Sequence, residues 1–157
     1  MDPNVITPWS GDWVWSVPLI VLTVIIHAFG LGVIDRHVSR VFTGNGRHRL
    51  LQSTSILIIG GTALAATILH AFESTIWAAV YMLLGAVPDR KSAMLYSLNA
   101  ITAFGHTDVR LEKHWELMGS LEALNGWILF GLTTAFMFTV IQKVWPHISP
   151  DSKTRTE

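Results

Sequence analysis

The segment Ala93–Asp108, AMLYSLNAITAFGHTD, lies between two long apolar stretches and is itself too short to cross a bilayer. About ten to twelve helical residues rise roughly 15–18 Å, about half of the ~30 Å hydrocarbon core. The helix-forming part is followed by Thr102, Gly105 and Asp108, which favour irregular backbone. Such backbone is tolerated at membrane depth only where protein or a water-filled cavity shields it. A half-spanning helix with this tail predicts a re-entrant loop, and with it a pore and an oligomer.

Composition agrees with a membrane setting. Half of the 157 residues are hydrophobic, 14% are charged, and the mean hydropathy is +0.43. The expected fold is an all-α integral membrane protein with three transmembrane helices, a re-entrant pore helix and a filter-like loop. Its first partner is the lipid bilayer. A net charge of zero gives no reason to expect nucleic-acid binding. The absence of Cys excludes a disulfide framework and a thiolate metal site. Trp9, Trp13, Trp15, Trp77, Trp115 and Trp145 fall near predicted span ends, where interfacial aromatic belts form. The N-terminus lacks Lys and Arg, and its first apolar run is too long for a signal-peptide core, so the run reads as a retained span. No internal repeat, low-complexity tract or second domain is visible.

The chain divides into three parts. Residues 1–50 hold an acidic tail, a first span over 14–34 and a loop carrying Arg36, Arg40, Arg47 and Arg49. Residues 51–145 form a pore-loop module: an apolar stretch over 54–87, a pore helix 92–103, a filter-like loop 104–109 and an inner helix 118–144. Residues 146–157 are a polar tail, with Pro146 stopping the last helix. The stretch 54–87 is roughly 50 Å as helix. It must tilt, project beyond the membrane or break near Gly60–Gly61, and Pro88–Asp89 ends it. Placing the Arg-rich loop and the tail with Lys143, Lys153 and Arg155 in the cytoplasm satisfies the positive-inside rule. The N-terminus is then outside, and the re-entrant loop enters from outside.

A helix ending at mid-membrane aims its carbonyl ends at the centre, and that partial negative charge favours a cation. Beyond it, backbone carbonyls replace an ion's hydration shell where Gly permits the backbone angles. An acidic residue at the mouth concentrates cations. The run Phe104-Gly105-His106-Thr107-Asp108 supplies such a lining. The plainer alternative is an interfacial loop that packs Met94, Leu95, Tyr96 and Leu98 on the membrane surface.

The segment resembles the pore-loop potassium channels, especially the small bacterial two-transmembrane type, in a subgroup with a degenerate selectivity filter. The family pattern is an aromatic-containing pore helix followed by Thr-Thr-Val-Gly-Tyr-Gly-Asp. Here Thr102-Ala103-Phe104-Gly105-His106-Thr107-Asp108 aligns without a gap and matches at Thr102, Gly105 and Asp108. The flanks HAFESTIWAAVYMLLGA and WELMGSLEALNGWILFGLTTAFMFTVIQ resemble the outer and inner helices, so the likeness covers about residues 65–143. The resemblance implies a homotetramer in a bacterial inner membrane that passes monovalent cations, potassium among them. It implies no enzyme chemistry, organic substrate or cofactor. Four positions depart from the pattern. Ala103 lacks an ion-facing hydroxyl, Phe104 is bulkier than Val, and His106 titrates near neutral pH. Thr107 is β-branched and disfavours positive φ. These departures argue against strict potassium selectivity.

Charged groups inside spans are expensive and usually functional. His70 and Glu73 share a helical face, as do Glu122 and Asn125. Glu122 lies near its helix start and suits the N-terminal dipole. The sharper expectation is that Glu73 or Glu122 pairs with a pore-loop group such as Asn99 or His106 and supports the filter. His27 reads either as a hydrogen-bonded packing residue or as a proton sensor. By resemblance Gly126 or Gly131 is an inner-helix hinge, with close helix packing as the alternative. No catalytic residue and no metal site is assigned. Two other functions stand beside the channel. One is a non-conducting sensor or partner subunit that keeps a pore-like fold. The other is an intramembrane metal-dependent enzyme drawing on His27, His70, Glu73, His106 and Glu122, although no His-Glu-x-x-His motif is present.

Overall fold

The computed structural model describes residues 8–44, 52–105 and 109–148. Among these, all regular structure is helical: α1 (Pro8–Gly44), α2 (Gln52–Leu83), α3 (Arg90–Ile101) and α4 (Glu116–Ile148), with one 3-10 turn, Lys113–Trp115, leading into α4. Three segments, Ser10–Val41, Thr54–Leu83 and Lys113–Trp145, are long and apolar enough to cross a membrane. This is the architecture of a three-span membrane protein with one short helix inserted before the last span.

α1 and α4 extend beyond the spans expected for them, and Pro146 lies within the last turn of α4 instead of stopping it. α1 continues past Ile34 and carries Arg36 and Arg40. α2 runs unbroken through Gly60–Gly61, since an interrupted helix in lipid would leave backbone groups unsatisfied. It ends before Pro88, at a Schellman motif. Gly85 takes φ +64, Ala86 N donates to Tyr81 O at 2.9 Å, and Gly85 N donates to Met82 O at 3.2 Å.

α3 occupies 90–101 rather than 92–103 because its caps set the ends. The Asp89 carboxylate accepts from Lys91 N at 2.9 Å, Ser92 N at 3.1 Å and Ser92 Oγ at 2.6 Å. Those bonds, led by the Ser92 hydroxyl, hold the Asp89 carboxyl below the ordinary aspartate value.

α1 and α4 run in the same direction. Near one end, Met118 N donates to Asp12 Oδ1 at 3.0 Å. Toward the other, Lys143 Nζ reaches Asp35 Oδ1 at 2.6 Å. α2 runs against both. The core gathers Trp77, Tyr81, Ala93, Tyr96, Ala100 and Met118 where α2, α3 and α4 meet. Outward faces of the long helices stay apolar, with Ile25, Phe29, Leu64, Ile68, Trp127 and Phe138 exposed.

Candidate functional site

α3 descends alongside α4. Gly119 faces the Tyr96 hydroxyl and Gly126 faces the Ile101 carbonyl, so closely that a Cβ at either glycine would overlap its neighbour. Gly126 lies about 15 Å along α4 from Glu116 at 1.5 Å per residue. The chain then comes back. Glu112 N donates to Ala86 O at 3.1 Å, so the segment leaving α2 and the segment entering α4 meet again at one level.

The end of α3 is a second Schellman motif. Phe104 N donates to Asn99 O at 3.0 Å and Ala103 N to Ala100 O at 2.8 Å. Ala103 occupies the left-handed position at φ +52, where glycine is usual, and Gly105 follows at φ +94. The Thr102 hydroxyl turns back onto Leu98 O at 2.6 Å. Asn99 contributes its carbonyl to this cap. Phe104 is 80% exposed. His106, Thr107 and Asp108 lie outside the described residues. Beneath the cap, a cleft of about 520 Å³ is lined by Thr67, His70, Thr102, Ala103, Gly126 and Phe130.

Glu122 fastens α3 into the bundle. It is fully buried and bonded to the Ser97 hydroxyl on α3 and to the Tyr81 hydroxyl on α2, the latter at 2.6 Å. Ser97 Oγ also reaches Ser74 O on α2 at 2.8 Å. One turn along α4, Asn125 Nδ2 donates to Thr23 Oγ1 on α1 at 2.8 Å. A Cβ at Gly131 would meet open space, and α4 continues through both Gly126 and Gly131 as helix.

A second polar cluster joins all three spans. His27 Nδ1 lies 2.9 Å from Glu73 Oε1, and His70 Nδ1 lies 3.6 Å from Glu73 Oε2. The two Nε2 atoms converge on Thr133 Oγ1, from His27 at 2.9 Å and from His70 at 3.1 Å. The imidazole centroids are 4.8 Å apart. His27 and Glu73 are fully buried, while His70 is a quarter exposed, toward the cleft under α3. Metal-ligating atoms of His27, His70 and Glu73 all lie within 4.8 Å of one another.

The structure therefore sorts the intramembrane polar residues into two groups. Glu122 belongs with Ser97 and Tyr81, and Glu73 with His27 and His70. Nothing in the sequence singles out Tyr81, Ser97 or Thr133. Their hydroxyls carry no local signal, because their partners stand 23 to 106 positions away. Comparison with protein-family profiles, characterised proteins and solved structures returns no match to this chain.

Proposed function

We propose that four copies of this chain form a membrane pore for monovalent cations, each contributing one re-entrant loop. The observation that carries this reading is the excursion from Ala86 to Glu112. The chain leaves the end of α2, runs α3 down the side of α4 as far as Gly126, and returns to a backbone bond between Glu112 and Ala86. An interfacial loop has no need to descend beside a span. In this reading Thr102–Asp108 lines the ion path and Glu122, through Ser97, fixes the height of α3. The N-terminus is outside, and the Arg-rich loop and C-terminal tail are in the cytoplasm of a bacterial inner membrane.

The pore discriminates weakly between potassium and sodium. Ala103 presents no hydroxyl, and Thr107 disfavours the positive φ that a glycine filter uses. The test is electrical. Purified protein in planar bilayers, under opposed potassium and sodium gradients, is expected to give current that reverses near zero. Strong potassium selectivity would overturn the weak-discrimination part. Silence from verified, correctly inserted tetramers of both the wild type and Phe104→Gly would overturn the pore itself in favour of a non-conducting subunit.

A further inference from the structure

For an ionised Glu73 and neutral imidazoles, the distances allow one pattern of hydrogens around the carboxylate. His27 Nδ1 faces Glu73 Oε1 at 2.9 Å, so it carries the ring hydrogen. His27 Nε2 then has a lone pair and takes the single hydrogen of the Thr133 hydroxyl, 2.9 Å away. His70 Nε2, 3.1 Å from the same oxygen, must therefore donate. That leaves the His70 Nδ1 lone pair facing Glu73 Oε2 across 3.6 Å. Glu73 Oε2 is buried and has no hydrogen-bond partner among the described residues. In that pattern two lone pairs face each other across the 3.6 Å between His70 Nδ1 and Glu73 Oε2.

We propose that a divalent transition-metal ion of the zinc class binds here, held by His27, His70 and Glu73. The 3.6 Å gap is too long for a hydrogen bond. It is close to the separation of about 3.4 Å between two ligands that each stand about 2.1 Å from a tetrahedral ion. Metal on both Nδ1 atoms moves the His27 ring hydrogen from Nδ1 to Nε2 and turns the Thr133 hydroxyl hydrogen away; both Nε2 positions are then donors, and the two lone pairs of Thr133 Oγ1 accept them both. A shared hydroxyl acceptor of this kind is what orients ligating imidazoles. In that state each ring nitrogen has a partner, and Glu73 reaches the ion through Oε2. Two imidazoles and a carboxylate select zinc, cobalt(II) or iron(II) over magnesium or calcium, and the chain has no thiolate to favour copper(I). His70 opens on the cleft under α3, which gives the ion a way in and leaves room for a water as fourth ligand. The site would tie α1 to α2, with α4 holding its outer shell, and it stands whether or not the pore conducts.

Cobalt(II) is the probe. Detergent-purified protein, stripped with a chelator and returned to neutral buffer, is titrated with cobalt(II) and then with zinc. The expected result is one cobalt per chain with the intense visible bands of four- or five-coordinate cobalt, bleached by one equivalent of zinc. His70→Asn and Glu73→Gln should each weaken binding at least about tenfold, and Thr133→Val by about 10- to 100-fold, with Thr133→Ser restoring it. The wild-type spectrum needs no variant to fold. Failure of the folded wild type to take up stoichiometric metal would overturn the proposal. So would weak octahedral bands that His70→Asn and Glu73→Gln leave unchanged. If instead nitrogen NMR of the metal-free protein shows His70 doubly protonated and no metal binds, the gap belongs to a proton and the metal site is refuted.

Discussion

The Ile101 carbonyl lies directly against the Cα of Gly126, so the end of α3 and the side of α4 touch backbone to backbone. Glycine at 126 is thus a requirement of close approach. Alanine at Gly126 has to push α3 away, and overpacking of this kind costs about 1–3 kcal/mol. Gly131 has open space, and in a helix interior alanine is favoured over glycine by about 1 kcal/mol. Thermal unfolding in detergent should therefore show opposite signs: Gly126→Ala lowers the midpoint and Gly131→Ala raises it. Equal shifts in one direction would contradict the packing described.

Ala103 holds a left-handed backbone at φ +52 to close the end of α3. For a residue with a Cβ this conformation costs roughly 1–2 kcal/mol. Ala103→Gly should raise stability by about 1 kcal/mol, while Ala103→Val should lower it, because a β-branched side chain tolerates positive φ least. The same unfolding assay checks both. A destabilised glycine variant would mean that the Ala103 methyl makes contacts worth more than the strain.

Much of the architecture is legible in the residues. Three long apolar runs separated by Arg-rich or turn-rich segments leave few alternatives to three spanning helices. The helix ends are less legible: Asp89 caps α3 so that it begins at Arg90, two residues before the expected start at Ser92, and Gly85 ends α2 ahead of the expected break at Pro88–Asp89. His70 and Glu73 lie three apart, which puts them on one face. What the residues do not carry is which spans meet. His27 and Thr133 complete the cluster from 46 and 63 positions away on other helices. That depends on how three nearly featureless apolar cylinders rotate against each other. Ala103 is a different kind of surprise: its type gives no hint of positive φ, which the Schellman closure around it imposes.

Asp89 gives α3 a defined response to acid. Its carboxyl is held below the ordinary value of 3.8, first by the Ser92 hydroxyl and then by the Ser92 amide. A depressed value in the folded state means that the cap stabilises fully above 3.8 and is lost as pH falls through the lower, folded value. Amide-exchange protection of Lys91 and Ser92 should hold steady from neutral pH down to 3.8 and decline below it. Asp89→Asn keeps an acceptor at the N-cap and should remove the pH response, and Asp89→Ala should expose both amides at every pH. Protection that ignores both pH and Asp89→Ala would show that the cap does not hold this end of α3.

The Ser97 hydroxyl stands between the Ser74 carbonyl, which can only accept, and Glu122 Oε1. Ser97 has one hydrogen. If it goes to Ser74, the bond to Oε1 forms only when Glu122 carries the other hydrogen, with Oε2 accepting from Tyr81. Glu122 then works as a neutral acid that donates to α3 and accepts from α2. An amide has the same shape and offers the same donor and acceptor. Glu122→Gln should therefore cost no more than about 1–2 kcal/mol, from its one extra N–H. Glu122→Ala leaves Ser97 and Tyr81 without their buried partner and should cost about 3–5 kcal/mol. A double-mutant cycle between Tyr81→Phe and Glu122→Ala should return a coupling of about 0.5–3 kcal/mol. If Glu122→Gln proves as damaging as Glu122→Ala, the position requires a carboxylate charge, and α3 is held by electrostatics rather than by a chain of neutral hydrogen bonds.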